Sequence, residues 1–258
     1  MRIVVKVGTS TLAYQNGRLN IRLVERLCKT LSDIKNNGTE VLLVTSGAIG
    51  MGVGKLMLPE RPRDLPTKQA CAAVGQSELM YVYDKLFSEY HHVVGQVLLT
   101  GADLEDPARR SNVENTLARL LALGALPVIN ENDTVGTEEI EIGDNDTLSA
   151  IVARLVGADL LILLSDVDGL YSADPRTDPA ARLLPVVEKV TPEIEALAKS
   201  AGSSLGTGGM ATKVRAARMA GEAGIQMVIA HGERPEVLYD ILEGQPVGTR
   251  FLAERREM

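Results

Sequence analysis

Short hydrophobic runs alternate along this chain with longer segments in which apolar residues recur at helical spacing. The first run, at residues 2–7, is rich in β-branched side chains and predicts a buried strand. Residues 20–36 carry apolar residues at helical spacing and stop at Asn37-Gly38, a pair that favours a helix C-terminus. A second hydrophobic run follows at residues 40–44. This order of strand, helix and strand predicts a βαβ unit, the building block of a parallel sheet.

The alternation continues to the end of the chain and predicts an α/β fold with a parallel sheet. Further strands are predicted at residues 93–99, 126–129, 159–164, 225–230 and 248–252. Further helices are predicted at residues 68–92, 109–123, 147–155, 193–199 and 213–220, with a short one from residue 235. Gly75 is a candidate helix break, residues 134–143 have the alternation of a hairpin, and residues 172–181 are rich in turn formers. Because no long linker divides the chain, we expect one domain over residues 1–258.

Composition narrows the classes of protein that this chain can be. It has 258 residues, 45% of them hydrophobic, which is enough for a sizeable core. The formal net charge of -7 argues against a general nucleic-acid surface, because phosphate backbones require a basic face. Cys28 and Cys71 lie far apart and predict buried free thiols in a reducing cytosol. With neither a signal peptide nor a membrane-spanning run in view, we expect a cytoplasmic protein that does not bind membranes.

A glycine-rich segment at residues 206–213, Gly-Thr-Gly-Gly-Met-Ala-Thr-Lys, is the strongest candidate for chemistry. Glycine lets backbone N–H groups converge, and a helix that starts behind the segment adds free N–H donors and a positive dipole end. Lys213, in the first turn of that helix, adds a full charge, so the segment predicts a phosphate site. A plain flexible loop before a capped helix is the alternative.

Polar residues follow four of the predicted strands, at 8–10, 46–47, 132–133 and 165–166. Parallel sheets bind ligands beyond the carboxyl ends of their strands, so these groups favour one shared cleft. Lys6 lies in the first strand two residues before Gly8, and we expect its side chain to reach that cleft. Two lysines and several glycine turns suit a polyphosphate, whereas Asp and Asn side chains suit Mg²⁺, a substrate ammonium group or the orientation of lysines.

Of three other features, two carry no chemistry on this interpretation and one leaves room for it. Residues 50–55, Gly-Met-Gly-Val-Gly-Lys, do not have P-loop spacing and instead predict a closely packed helix. Asp144, Asn145 and Asp146 precede a predicted helix that needs only one N-cap, so at least one of them is available for another role. The three histidines have no partner at ligand spacing, and we predict no metal ligands in the protein.

Seven segments, in order across nearly the whole chain, resemble the glutamate 5-kinases of the amino-acid kinase family. They are Val-Lys-Val-Gly-Thr-Ser at 5–10, Val-Thr-Ser-Gly-Ala-Ile at 44–49, Ala-Val-Gly-Gln-Ser at 73–77, Ile-Asn-Glu-Asn-Asp at 129–133, Gly-Asp-Asn-Asp at 143–146, Gly-Leu-Tyr-x-Ala-Asp-Pro-Arg at 169–176 and Gly-Thr-Gly-Gly-Met-x-Thr-Lys at 206–213. The resemblance implies an open, mostly parallel sheet between helix layers. It also implies ATP- and Mg²⁺-dependent phosphorylation of the γ-carboxylate of L-glutamate, the first step of proline biosynthesis.

The resemblance also implies a role for each matching residue. Lys6 and Lys213 would be catalytic lysines on the phosphates, and Asp146 would orient them. Glutamate would bind in the N-terminal part, at Ser46, Asp133 and Asn145. ATP would bind in the C-terminal part, from about residue 159, at Lys6, Ser165, Asp166, Thr207, Gly208, Gly209, Met210, Ala211, Thr212 and Lys213.

Assembly and regulation are further expectations from the family. The resemblance implies a homo-oligomer, a dimer or a tetramer, and makes L-proline a candidate feedback inhibitor. Many bacterial members carry a C-terminal PUA domain, and the sequence here stops soon after Arg250, so we expect a form without it.

Three alternatives stay open at the level of sequence. A kinase of the same family could act on aspartate, acetylglutamate, carbamate or a nucleoside monophosphate, although the Asn and Asp residues favour an acceptor with a free α-ammonium group. A dinucleotide-dependent oxidoreductase is a second alternative, because Gly206, Gly208 and Ala211 satisfy a short fingerprint, but that fingerprint needs a strand directly before it. A non-catalytic amino-acid sensor on the same scaffold is the third.

Overall fold

The hydrophobic runs form the strands of one sheet in the computed structural model, which describes residues 1–14, 18–136, 144–200 and 209–254. The strands are β1 Arg2–Val7, β2 Glu40–Val44, β3 Val94–Leu99, β4 Leu126–Glu131, β5 Leu160–Ser165, β6 Val186–Val187, β7 Gln226–His231 and β8 Thr249–Phe251. The helices are α1 Thr9–Leu12, α2 Ile21–Asn36, α3 Ala48–Lys55, α4 Leu65–Ser88, α5 Gly101–Glu105, α6 Pro107–Ala122, α7 Asn145–Leu155, α8 Pro192–Ser200, α9 Met210–Glu222 and α10 Val237–Leu242.

The eight strands lie in the order β3-β4-β2-β1-β5-β7-β8-β6. Every pair along the sheet is parallel except β7 with β8, so the predicted mostly parallel α/β sheet is confirmed. Strand β1 is central, with Lys6 paired to Val44 on one side and to Leu163 on the other. The carboxyl ends of β4, β2, β1 and β5 therefore lie side by side along one edge.

Helices cover both faces of the sheet, and the alternation of β1 divides the core between them. Ile3, Val5 and Val7 belong to the hydrophobic cluster that includes α2 and α4. Val4 belongs to the opposite cluster, with α6, α7 and α9. Because side chains alternate along a strand, Lys6 shares the face of Val4. It therefore points toward the layer that contains α7 and α9.

Two glycines allow α3 and α4 to cross at backbone distance. A Cβ atom added at Gly52 would lie 1.9 Å from the carbonyl oxygen of Cys71, and one added at Gly75 would lie 1.8 Å from that of Ala48. The prediction of a closely packed helix at 50–55 is therefore confirmed. The prediction of a break at Gly75 was wrong, because α4 runs through it; its glycine serves the crossing instead.

The remaining predictions concern the strand bounds, the turns, the cysteines, the hairpin and the absence of membrane-spanning segments. Strand β4 extends two residues past its predicted end to Glu131, and the short β6 was not predicted. Residues 172–181 form turns, as expected, and Cys28 and Cys71 are buried free thiols. Most of the predicted hairpin, residues 137–143, lies outside the described residues. Over the described ranges, no helix combines the length and apolar character needed to span a membrane.

Candidate active site

Polar side chains collect where the four central strands end. After β1, Gly8 is the N-cap of the single-turn helix α1, which contains Thr9 and Ser10. After β2, Gly47 adopts a left-handed backbone with φ of 98°, a conformation that glycine takes without strain, and this leads into α3. The ends of β4 and β5 carry Asn130 and Ser165, both buried. The four strands whose ends were predicted to carry the polar groups are neighbours in the sheet, and one ligand cleft shared by those groups stays a prediction.

The centre of the edge is a buried triad of two lysines on one carboxylate, Lys6, Asp146 and Lys213. The Nζ of Lys6 lies 2.6 Å from Oδ1 of Asp146, and the Nζ of Lys213 lies 3.0 Å from Oδ2. The side chains of Lys6, Asp146 and Lys213 are 10%, 1% and 7% exposed. Two positive charges on one negative charge leave the triad a net charge of about +1 in a desolvated position, which suits an incoming anion.

Three separate elements position the triad. Lys6 comes from the central strand, Asp146 from the first turn of α7 and Lys213 from the first turn of α9. Both helices pack on the face to which Lys6 points, and both begin at the same edge of the sheet. Thr212 adds a third contact to the carboxylate of Asp146, since its Oγ1 lies 3.0 Å from Oδ2.

Electrostatics keep the central carboxylate ionised. Burial acts to raise the pKa of Asp146, but the charges of Lys6 and Lys213 and their hydrogen bonds outweigh it and hold the pKa below its ordinary value. A buried carboxylate with two ammonium partners is therefore a fixed negative charge at neutral pH. It holds both lysines in place at the strand ends.

A cluster of amides and hydroxyls lies directly beside the triad, because Asn145 precedes Asp146 in α7. The Nδ2 of Asn145 lies 3.0 Å from the carbonyl oxygen of Thr45, 2.8 Å from Oγ of Ser46 and 3.0 Å from Oδ1 of Asn130. The Oδ1 of Asn145 is buried and has no hydrogen-bond partner among the residues that the structure describes. A small ligand with both donors and acceptors fits such a cluster.

The three Asx residues at the start of α7 therefore have three different roles. Asp144 is the N-cap, and its carboxylate accepts a hydrogen bond of 2.8 Å from the backbone N–H of Thr147. Asn145 joins β2 and β4 through its amide, and Asp146 joins the lysines. The expectation that one residue caps while others are free for chemistry agrees with these contacts.

The other predicted site residues are placed less closely. Asp133 lies in the turn after β4, and Ser165 ends β5 with its hydroxyl 3.1 Å from Oδ1 of Asp166. Gly209 is the N-cap of α9, and no side chain among the described residues caps this helix. Met210 and Ala211 follow it in the first turn. Thr207 and Gly208 lie outside the described residues.

Sequence reasoning missed four residues that hold the amide cluster. Asn130 and Gln76 are 1% and 6% exposed and are hydrogen-bonded to each other. The Oγ1 of Thr45 lies 2.8 Å from the hydroxyl of Tyr83, which is also buried. Gln76 and Asn130 fall inside two of the segments that carry the family resemblance, so the signal was present, but nothing in their spacing assigned them a role.

Comparison with known proteins decides the family. Residues 1–231 match the model of the Amino acid kinase family. The chain belongs to the amino acid kinase family. This membership removes the dinucleotide-dependent oxidoreductase as an alternative.

Curated relatives within this family are similar to the chain over most of its length. A glutamate 5-kinase of Listeria innocua is 54% identical, with 99% of this chain and 94% of that protein covered. One from Clostridium perfringens is 54% identical, with 99% and 97% covered. One from Moorella thermoacetica is 57% identical over 97% of this chain but only 66% of its own length.

Solved structures agree on the fold. A carbamate kinase from Giardia lamblia aligns with a TM-score of 0.71 at 17% identity, covering 98% of each chain. An isopentenyl phosphate kinase from T. acidophilum aligns with a TM-score of 0.64 at 22% identity, covering 97% of this chain and all of the other. At these identities the likeness establishes the shared architecture alone.

Proposed function

We propose that this protein transfers the γ-phosphoryl group of ATP to the γ-carboxylate of L-glutamate and forms L-glutamyl 5-phosphate, the first step of proline biosynthesis. The observation that carries the proposal is the position of the amide cluster of Ser46 and Asn145 directly beside the Lys6–Asp146–Lys213 triad. A carboxylate acceptor bound at the amide cluster would lie next to the two lysines of the triad, whose positive charges would bind the phosphoryl group. The 54% identity to glutamate 5-kinases over nearly the whole chain supports the same acceptor.

The charge of the C-terminal half of the site supports the assignment of the nucleotide to it. The triad offers a net positive charge, and α9 begins at Met210 after the N-cap Gly209, so the positive end of its dipole lies beside Lys213. We assign ATP to Lys6, Ser165, Asp166 and the segment from Thr207 to Lys213, and we assign the part of the chain from about residue 159 to the nucleotide.

Magnesium fits as a companion of the nucleotide. No group of three His, Cys, Asp or Glu side chains that could cage a metal occurs within the described ranges. Mg²⁺ commonly keeps several waters and is bound largely through substrate phosphates, so the chain does not need such a cage. When bound with ATP, the ion supplies positive charge that neutralises the phosphates.

The acceptor fits the N-terminal half. We assign L-glutamate to Ser46, Asp133 and Asn145. The buried Oδ1 of Asn145 lacks a donor, and the α-ammonium group of an amino acid is a donor of the right charge. Acetylglutamate lacks that group, so these residues favour a free amino acid.

The chemistry requires alignment and charge neutralisation more than proton transfer. The γ-carboxylate of glutamate has an ordinary pKa of about 4.3 and is already ionised at neutral pH, so no general base is needed. The difficulty is to bring an anion up to a polyanion. Lys6 and Lys213 would lower that repulsion by binding the phosphoryl oxygens, and Asp146 would hold both ammonium groups in position for an in-line transfer.

Hydroxylamine trapping tests the proposal, because it converts an acyl phosphate into a measurable hydroxamate. The protein would be incubated with ATP, Mg²⁺ and hydroxylamine together with glutamate, aspartate, acetylglutamate or no acceptor. We expect a signal with glutamate alone. A signal with another acid would keep the reaction class but overturn the acceptor, and ATP binding without any hydroxamate would favour a sensor.

Two further proposals concern regulation and assembly. L-proline is proposed as a feedback inhibitor, testable by adding it to the same assay at several glutamate concentrations. A homo-oligomer, a dimer or a tetramer, is proposed from the family, and sedimentation analysis would measure it.

A further inference from the structure

A line of side-chain amides runs from the exposed Gln96 on the edge strand β3 through the buried Gln76 and Asn130 to the candidate glutamate site. The Nε2 of Gln76, on α4, lies 3.2 Å from Oε1 of Gln96 on β3. The Oε1 of Gln76 lies 2.9 Å from Nδ2 of Asn130 on β4. The Oδ1 of Asn130 in turn lies 3.0 Å from Nδ2 of Asn145. The amides of Gln76, Asn130 and Asn145 thus link α4, β4 and α7. Each NH₂ group donates to the next amide oxygen, in the direction from Asn145 to Gln96.

Two backbone groups fix that direction. The N–H of Glu131 donates to Oδ1 of Asn130 at 2.9 Å, and the carbonyl of Thr45 accepts from Nδ2 of Asn145 at 3.0 Å. A backbone N–H can only donate and a backbone C=O can only accept. The amides of Asn130 and Asn145 therefore each have a single satisfactory orientation, and Gln76 must present its oxygen to Asn130.

The orientation determines what the site offers to a ligand. With its NH₂ directed to Thr45, Ser46 and Asn130, Asn145 keeps its oxygen for an external donor. The hydroxyl of Ser46 accepts from Asn145 and so keeps its own proton to donate. Rotating the Asn145 amide by half a turn would place its oxygen against the Thr45 carbonyl and Asn130 Oδ1 and would remove the acceptor from the site.

We infer that Gln76 is a positioning residue, which acts through Asn130 to hold the Asn145 amide in the orientation that binds the amino-acid substrate. This inference rests on the proposed function. Gln76 lies one residue beyond the interhelical crossing at Gly75, so its helix is held rigidly against α3, and it is only 6% exposed. Without the oxygen of Gln76, the buried Nδ2 of Asn130 loses its acceptor. The orientation of the Asn130 amide is then stabilised by one hydrogen bond fewer.

The test is a set of variants measured in the hydroxamate assay with separate titrations of L-glutamate and ATP. Gln76→Met keeps the volume of the side chain and removes the acceptor. We expect its KM for glutamate to rise about tenfold, the usual cost of leaving a buried donor unpaired, with the KM for ATP unchanged. Ser77→Ala, on the exposed side of the same helix, is the matched control and should leave both constants unchanged.

A double variant separates positioning from general packing. If Gln76 acts through Asn145, then Gln76→Met should add nothing to the KM change of Asn145→Ala, because coupled residues are not additive. A packing role would add the two effects and would move the KM for ATP as well. Either of those results would overturn the inference.

Gln76→Asn covers the case in which the Met variant does not fold. Its amide is polar and uncharged, but the side chain is one methylene shorter and its oxygen does not reach Asn130 from the same backbone position. We expect its KM for glutamate to rise toward that of Asn145→Ala with the KM for ATP unchanged, and a wild-type KM for glutamate would contradict us. Wild-type protein without any glutamate-dependent signal would overturn the proposed function and this inference together, whereas an active wild type with an unaffected Gln76→Met would overturn only the inference.

Discussion

The Nζ of Lys213 lies 3.0 Å from the Oδ2 of Asp146, although the two residues belong to different helices and both are buried. The Nζ of Lys6 contacts the other carboxylate oxygen, so one carboxylate holds two ammonium groups. Buried ion pairs are costly to desolvate and are retained where geometry is excellent or where function needs them. Here the surplus positive charge points to an anionic ligand.

Lys213→Ala should abolish most turnover while leaving the fold intact. If the ammonium group stabilises the phosphoryl group during transfer, its loss should lower kcat by about 10²–10³, as for other preorganised electrostatic contacts. Steady-state hydroxamate kinetics at saturating ATP and glutamate would measure it. Lys199→Ala, an exposed lysine on α8, is the control and should keep wild-type kcat. Normal turnover in the Lys213→Ala protein would contradict the assigned role.

Asp146→Asn should destabilise the protein as well as inactivate it. The substitution leaves two buried lysines without a counter-charge, and breaking a buried ion pair in this way costs about 3–5 kcal/mol. Urea unfolding followed by circular dichroism would give the change in free energy of unfolding. Asp84→Asn, on the exposed side of α4, should change it by less than about 0.5 kcal/mol. Equal stability of the two variants would show that the triad does not contribute to the fold.

Much of the architecture could be predicted from local pattern alone. The β-branched runs and the helical periodicity gave the order of elements, and alternation along β1 put Lys6 on the face opposite Ile3 and Val5. The structural role of Gly75 could not be predicted, because a glycine within a helical pattern indicates either a helix break or a close contact with another element. Only the crossing of α3 over α4 distinguishes these two.

The charged residues of the candidate site could be predicted from the sequence, but their contacts could not. Lys6 and Lys213 stood out as charges beside glycines, but their common partner Asp146 depends on how α7 and α9 pack on the sheet. Asn130 was not predicted to matter, because a single Asn at the end of a strand has no distinguishing spacing. Its importance arises from tertiary contacts with Gln76 and Asn145.

The stability of the protein should depend on pH through Asp146. Its pKa in the folded state is held below the ordinary value of about 3.9, so its contribution is complete above that value and is lost as pH falls toward the folded pKa. The free energy of unfolding should therefore decrease with acidification below about pH 4. Protonated Asp146 resembles Asn in charge, so the difference in stability between wild type and Asp146→Asn should shrink over the same range.

Measuring both proteins together isolates this one group. The pKa values of Asp103 and Glu236 are also lowered, by hydrogen bonds from Thr100 and from Arg26 respectively. Those carboxylates titrate in both proteins and cancel in the difference. Urea unfolding at several pH values from neutral down to about pH 3 would show the convergence. A difference in stability that stays constant over that range would rule out Asp146 as the source.

Gly75→Ala should be strongly destabilising although alanine favours helices. Its methyl group would lie 1.8 Å from the carbonyl oxygen of Ala48 and 2.5 Å from the backbone nitrogen of Gly52, and neither backbone atom can rotate away. The two helices must separate, and we expect a loss of about 3 kcal/mol or more in the free energy of unfolding. Because α3 begins directly after Ser46 and Gly47, the separation should also raise the KM for glutamate.

Gly50→Ala is the matched control for that crossing. Gly50 lies in α3 as well, but its added methyl group would find its nearest neighbour, Cγ2 of Thr9, at 3.8 Å, an ordinary contact. Replacing glycine by alanine in a helix then gains up to about 1 kcal/mol. Opposite signs for the two substitutions in urea unfolding would establish that backbone contact, and not helix propensity, determines the glycine at position 75. If Gly75→Ala were as stable as Gly50→Ala, α3 and α4 could not cross at the distance described.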